Sequence, residues 1–486
     1  MAKSIKRNYF YNTAYSILTV ITPLITAPYL SRVLEADGVG ASSFVFSIVT
    51  YFLLFGNLGT WGYASREISY LQDDIEKRNI IFWEVALLRL IYAFVTLAVY
   101  LVAVYFYAKS YRTLYFIYAL HILGIACDFT WLFAGLEEFG KIVFRNIMVR
   151  IIDIAFVFTF IKTKSDLLLH VFGYSFFNLA GTVVMWKYLP AYVNKPDFKS
   201  LHPFRHIKTA FSLFIPGLAI QVYTVLDKTM IGIFTEGTFE NGYYEQALKI
   251  SRIVLALVTS LAGVMVPRIG YLFGKDDREQ ISFLMYRSYR FILCISVALC
   301  LGLIGISDNF VPWFFGPGYE KVVGLLKISS FIIVAIGLSN ATGGQYLIPT
   351  KRQHLFTYSV IAGAVTNFSL NLILIRMYQS YGAIIASVIA EITVTSIQLW
   401  MIRKEISTKR IILSGTTYYI AGGVMLAVLF FMESRLTPSP VHTFTMIFTG
   451  AAVYVSLLFI LRDKFFLEYS ALPLEFLKRK FAKRKG

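Results

Sequence analysis

Three cations sit inside stretches of chain that are otherwise apolar: Lys228 in the run 209–234, and Lys249 and Arg252 in the run 242–266. Adjacent helical positions point about 100° apart, so Asp227 cannot simply cancel its neighbour Lys228. Read at helical spacing, Gly217, Gln221, Thr224, Lys228, Gly232 and Thr235 share one face of the first run. Glu245, Lys249, Arg252, Ala256, Thr259, Gly263 and Pro267 share one face of the second, while Ile250, Ile253, Val254, Leu257, Val258 and Leu261 form an oily face expected to meet lipid. A charge at the centre of a bilayer costs roughly 2.5–3.5 kcal/mol even on lenient scales, so such residues face protein or a wet cavity. The chemistry open to them is non-covalent: holding an anion, or pairing with Asp227 and Glu245. Arg150, with Asn146 and Asp153, forms a similar stripe on the run 142–161, and two further stripes are neutral: Asn8, Asn12, Thr19 and Thr26, then Ser43, Ser47, Thr50 and Asn57. Arg89, Asp128, Lys327 and Glu391 stand more alone and read as members of buried pairs. Covalent and metal chemistry have no comparable support. Cys127, Cys294 and Cys300 match no metal spacing, the six His lie mostly at loops or span ends, and there is no glycine-rich phosphate loop.

The elements that must position these residues are membrane helices. With 57% apolar, 17% aromatic and 15% charged residues, the chain is too oily for a soluble fold. Fourteen apolar runs approach or exceed the roughly 20 residues a spanning helix needs. The first two are expected at 8–34 and 38–63, and the tenth at 322–348. The first run is too long for a signal-peptide core and is expected to remain. A net charge of +18 could suggest nucleic acid, but the basic residues concentrate in the segments that lie inside if the N-terminus does. The charge therefore reads as topology, and nucleic acid is excluded as a partner. Both termini are expected in the cytoplasm, with Asp37, Lys164 and Glu236 outside. The basic ending "FLKRKFAKRKG" is expected either against anionic membrane lipid or as a solvated tail.

An internal repeat organises the helices. "YLSRVLEADGVG" and "MIGIFTEGTFENGYY" occupy equivalent turns about 204 residues apart, and "VFGYSFFNLAGTVVMWKY" is echoed by "SYGAIIASVIAEITVTSIQLW", aligning Gly173 with Gly382. The resulting expectation is an all-α polytopic protein. It has an N-terminal six-helix lobe at 1–200, a C-terminal six-helix lobe at 206–405, an extra helix pair at 411–462 and a basic cytoplasmic tail at 463–486. An even number of helices per repeat relates the lobes by an axis along the membrane normal, with a site between them.

The segments "DFTWLFAGLEEFGKIVFRN", "YTVLDKTMIG", "GYYEQALKISR", "MVPRIGYLF", "YLIPTKRQHLF" and "YGAIIASVIAE", with "YLSRVLEADGVG", resemble those of the Wzx-type polysaccharide flippases of the multidrug/oligosaccharidyl-lipid/polysaccharide exporter superfamily. Lys351 follows Thr350 where glycine is frequent in that family. The resemblance implies a transporter of the bacterial cytoplasmic membrane, without cofactor or catalytic residue. It would flip an undecaprenyl-pyrophosphate-linked oligosaccharide by alternating access for capsule, exopolysaccharide, O-antigen or teichoic acid assembly, beside the polymerase and glycosyltransferases of its pathway. On that reading Lys228, Lys249, Arg252 and Arg150 hold the anionic headgroup, and Asn8, Asn12, Ser47, Asn57, Gln221 and Thr224 line a polar wall for sugar. Two alternatives stay open. A drug or cation antiporter of the same superfamily prefers acidic walls, and a polytopic glycosyltransferase or polymerase could use Glu35 with Asp37, although it would usually carry a large external loop.

Overall fold

The computed structural model describes residues 5–195 and 198–468, the side chains of 5–16 and of most positions from 212 to 223 excepted. Asn8, Asn12 and the basic tail from 474 onward fall outside the described residues. Eighteen α-helices follow in order: α1 (Ile5–Asn57), α2 (Thr60–Tyr70), α3 (Ile75–Tyr107), α4 (Arg112–Cys127), α5 (Thr130–Gly135), α6 (Phe139–Phe160), α7 (Leu167–Val184), α8 (Ile207–Phe234) and α9 (Phe239–Thr259), then α10 (Ala262–Gly274), α11 (Arg278–Phe315), α12 (Glu320–Ser329), α13 (Phe331–Ser339), α14 (Gln353–Tyr378), α15 (Ser380–Ile402), α16 (Thr408–Ser414), α17 (Thr416–Glu433) and α18 (Pro440–Ile460). No strand occurs among the described residues.

Among the described residues nine helical stretches are long and apolar enough to cross a membrane, or ten if the bent pair α9 and α10 is one span, and this is a multi-pass membrane protein. Several of the fourteen expected runs fall short of that measure for visible reasons. α4 has only 16 residues, and α6 carries Lys141, Arg145, Arg150 and Asp153 along its 22. The runs expected at 8–34 and 38–63 meet at a kink within α1, where Glu35 is non-helical with a φ of 57° in the left-handed region, and the second of them ends its α1 part at Asn57. The chain turns there without a loop. The run expected at 322–348 is one apolar stretch, Glu320–Leu347, made of α12, α13 and a π-helix over Asn340–Leu347 in succession.

The chain divides into two compact units, Met1–Glu245 and Gln246–Gly486. In the first, Val45, Val49, Tyr100, Tyr118 and Ile122 form one core, and Ile68, Phe82, Val85, Trp131 and Leu132 form another. The segment joining α7 to α8 is pinned beneath the second core. The buried Glu84 on α3 accepts hydrogen bonds from the backbone of His202 (2.7 Å) and from Arg205 (2.6 Å), and lies 2.8 Å from His206 Nε2. In the second unit, buried hydroxyl and amide groups tie helices together, as expected where lipid supplies little hydrophobic drive between them. Ser288 donates to Gln345 at 2.6 Å, Ser251 and Ser329 lie 2.7 Å apart, and Gln398 donates to Ser359 at 3.0 Å.

Glycines set the closest approaches. A Cβ on Gly382 would stand 2.0 Å from the Leu374 carbonyl oxygen, so α14 and α15 meet backbone to backbone. A Cβ on Gly173 would meet the Phe156 ring at 2.3 Å, so its α7 lies against α6 through an aromatic side chain. The oily face of α9 differs from expectation: Ile250 and Val258 are buried in protein. Val258 lies against Gly337 of α13 and Ser251 against Ser329 of α12, which together occupy the side assigned to lipid.

Candidate functional site: a sealed polar seam in the first unit

The seam is built where the C-terminal part of α1 meets the end of α8 and the start of α9. Small residues let the backbones touch. A Cβ at Gly40 would lie 1.7 Å from the Thr238 carbonyl oxygen, and one at Gly242 would lie 2.0 Å from that of Ala36. The pairs Gly40 with Gly242 and Ala36 with Thr238 are each separated by 202 positions (242 − 40 and 238 − 36), so the two contacts are images of one another. Thr238 donates to the Asp37 carboxylate at 2.6 Å. At the same end of the unit, Lys164 pairs with Glu35 at 2.8 Å.

One turn deeper the seam becomes charged. Lys228 and Glu245 form an ion pair at 2.5 Å, their side chains 15% and 22% exposed. Ser43 donates to the same Glu245 oxygen at 2.9 Å. Ser43 and Glu245 are themselves 202 positions apart. Asn241 donates to the Lys228 carbonyl at 2.6 Å. Asp227 points the other way and accepts from the buried Tyr244. Ser47, buried, lies 2.8 Å from the Thr229 hydroxyl, which in turn donates to Tyr51 at 3.3 Å. Lys228 is six residues from the end of α8 and Glu245 six from the start of α9, roughly 9 Å inside each helix at 1.5 Å per residue.

A model of the polysaccharide biosynthesis protein family matches residues 5–273, more than half of the chain. The chain belongs to that family. Its curated relatives include the putative O-antigen transporter of Escherichia coli K12, 25% identical over 83% of this chain and 97% of that one. Another is the probable low-salt glycan biosynthesis flippase Agl15 of Haloferax volcanii, 23% identical over 57% of this chain and 59% of that one. Among solved structures, the lipid II flippase MurJ in its inward closed conformation superimposes with a TM-score of 0.73 at 16% identity, over 93% of this chain and 99% of that one. An inward-facing multidrug transporter of the MATE family gives 0.57 at 12% identity, over 84% and 98%. The chain thus has the helical fold of the multidrug/oligosaccharidyl-lipid/polysaccharide superfamily, and it is of the Wzx type that its segments resemble.

In this member of the polysaccharide biosynthesis family, the other residues singled out by sequence are dispersed. Arg252 is exposed midway along α9, and Lys249 is partly buried one turn before it. Asp153 is buried with its Oδ1 lacking a hydrogen bond among the described residues, and Arg150 lies one turn earlier on α6. Gln221 is exposed, and Thr224 donates to its carbonyl at 2.9 Å. Asn57 accepts from Arg89 at 2.8 Å. That guanidinium, 2% exposed, also donates to Thr60 (2.8 Å) and to the Ile125 carbonyl (3.2 Å), and lies 3.7 Å from Asp128. Lys327 pairs with Asp308. Sequence reasoning placed Ser43 in a neutral stripe and missed its bond to Glu245; the repeat offset of about 204 is two positions longer than the 202 that separate this pair, so it does not bring the two together.

Proposed function

We propose that the protein flips an undecaprenyl-pyrophosphate-linked oligosaccharide from the inner to the outer leaflet of a bacterial cytoplasmic membrane by alternating access, for O-antigen-type, capsular, exopolysaccharide or teichoic acid assembly. The observation that carries the reading is the Lys228–Glu245 pair, embedded in a hydroxyl-lined seam of a multi-pass polysaccharide biosynthesis protein. A pyrophosphate cannot cross bare hydrocarbon and needs cations along its route. Lys228 has a carboxylate that such an anion can replace. Replacement frees Glu245 from Lys228, leaving it to Ser43 alone, and so loosens the seam that closes this end of the unit. Lys249 and Arg252 extend the same helical stripe and serve as further headgroup contacts, with Arg150 on the opposite half. The related names of the O-antigen transporter and the glycan flippase support this substrate class.

The working arrangement is two six-helix lobes, 1–200 and 206–405, with the helix pair 411–462 and the tail 463–486 appended and both termini cytoplasmic. The reciprocal Gly40–Thr238 and Gly242–Ala36 contacts support a two-fold relation between the repeats. Expression in a strain lacking its own O-antigen flippase tests the function: restored surface glycan is expected, and fails to appear for Arg252→Ala at normal protein abundance. Export of organic cations with no glycan restored by any lipid-linked substrate would overturn the reading. Cysteines placed at Asp37, Lys164 and Glu236, in a chain without Cys127, Cys294 and Cys300, should label from outside intact cells.

A further inference from the structure

The second unit contains a charged cavity that the transport reading does not use. It has a volume of about 550 Å³ and is formed by the start of α11, by α16 and by the chain just after α18. Four cations line it: Arg287, Arg290, Arg410 and Lys464. Two are held by nearby carboxylates, Arg287 by Glu468 at 2.7 Å and Arg290 by Asp463 at 2.9 Å. The other two are not. Among the described residues no carboxylate oxygen stands within 4 Å of Arg410 or Lys464, while Glu279 is an exposed acid on the same wall. Arg410 is stacked on Tyr286, its guanidinium carbon 4.3 Å from the ring centroid, and the backbone of Ser407 donates to that tyrosine's hydroxyl at 2.8 Å, which fixes α16 against α11. Arg290 Nε is buried and has no hydrogen-bond partner among the described residues.

We propose that this cavity holds the phosphodiester headgroup of an anionic phospholipid. The pre-oriented guanidinium of Arg410 and the Lys464 ammonium offer the donors that a phosphate oxygen takes. The apolar surroundings suit acyl chains: Phe283 lines the cavity, and Ile412 and Leu413 on α16 and Ile460 at the end of α18 are more than half exposed. The cavity lies at the end of the unit that also bears Lys275, Arg403, Lys404 and Lys409, the end that the distribution of positive charge assigns to the cytoplasmic leaflet, where anionic lipid is concentrated. The basic tail is not the complement of this site, since Lys478, Arg479, Lys480, Lys483, Arg484 and Lys485 carry the same sign of charge. The site is distinct from the transport route and does not depend on which glycan is moved.

Native mass spectrometry of the full chain, titrated in detergent with phosphatidylglycerol, phosphatidylcholine or inorganic phosphate, tests the proposal. A cation near an anionic lipid contributes about fivefold in affinity, so Arg410→Gln with Lys464→Gln should weaken phosphatidylglycerol binding on the order of 30-fold. Phosphatidylcholine binding should be weak and unchanged, and millimolar inorganic phosphate should not displace the anionic lipid. Equal binding of the two lipids, an unaltered variant, or displacement by free phosphate would each overturn it. If the double variant does not fold, Arg410→Lys with Lys464→Arg replaces it and is expected to keep phosphatidylglycerol binding within a few-fold of wild type, while the comparison of the three ligands on the wild type still decides.

Discussion

Arg89 and Lys228 are both intramembrane cations of the first unit, and they are held in opposite ways. Arg89 distributes its guanidinium over Asn57, Thr60, the Ile125 carbonyl and Asp128, drawing on α1, α2, α4 and the turn after α4. No single anion could replace that set. Lys228 is bound by Glu245, a carboxylate on another helix, within a seam of backbone contacts that glycines permit. A cation spread over three neutral acceptors and a more distant carboxylate reads as architecture, whereas on the proposed function one held mainly by a single carboxylate exchanges it for a substrate anion. The comparison can be broken by variants in which the two sites fail differently.

The largest effect is expected at Arg89. Arg89→Ala leaves Asp128 without its cation and strips Asn57, Thr60 and the Ile125 carbonyl of a donor; removing one partner from such a buried arrangement costs about 3–5 kcal/mol. Membrane abundance should collapse, measured by immunoblot against a co-expressed control, and Arg89→Lys should recover only part of it because the planar fork is lost. Normal abundance with failed export would place Arg89 among transport residues and erase the contrast.

At Lys228 the prediction is reversed. Lys228→Gln should leave abundance near wild type, since Ser43 still donates to Glu245, while surface glycan falls at least tenfold. Lys228→Gln with Glu245→Gln separates the two roles: if the pair served only to neutralise itself, the double variant would export normally. Continued failure is expected, because the anion then has no cation to meet.

These two sites also show what the sequence made legible. Helical spacing placed Lys228 on a polar face and Arg89 among the buried pairs, because 3.6-residue periodicity is a local property. The partner of each residue is a tertiary fact. Nothing in the spacing of α9 tells whether Glu245 reaches Lys228 or Lys249, and Ser43 becomes a partner only once α1 turns at Glu35 without a loop. The oily side of α9 was assigned to lipid on hydrophobicity alone; Leu257 is exposed as expected, but Ile250 is buried and Val258 packs on α13, and lipid and protein interiors are equally apolar. The division of 322–348 into two helices and a π-helix had no local signal beyond Gly343 and Gly344.

Lys351 gives a smaller test. Its φ of 60° lies in the left-handed region, where glycine is at ease and a side chain is not. Lys351→Gly should raise stability by up to about 1 kcal/mol, read as a higher Tm in detergent, with export unchanged. A lowered Tm would mean that the lysine side chain makes a contact worth more than the strain.

The smallest effect is expected from the clamp that follows this turn. Glu405 accepts from Arg352 at 2.7 Å and from the Tyr346 hydroxyl, joining the loop before α14 to the loop after α15. Burial alone would push the Glu405 carboxyl upward, but the hydrogen bonds from Tyr346 and Arg352 outweigh it and hold the group below the usual carboxylate range. A carboxyl that is more acidic in the folded state adds stability above its unfolded value, about 4.3 for a free glutamate, and loses that stability as pH falls through the folded value. The acid limb of Tm against pH should therefore be shallower in Glu405→Gln than in wild type, with the two curves furthest apart near neutrality and converging below pH about 4. Because Glu405 is partly exposed, water screens the pair and the separation should be small. A constant gap between the curves from neutral to acid pH would show that Tyr346 and Arg352 bind the amide as well as the carboxylate, and that the clamp is held by shape and not by charge.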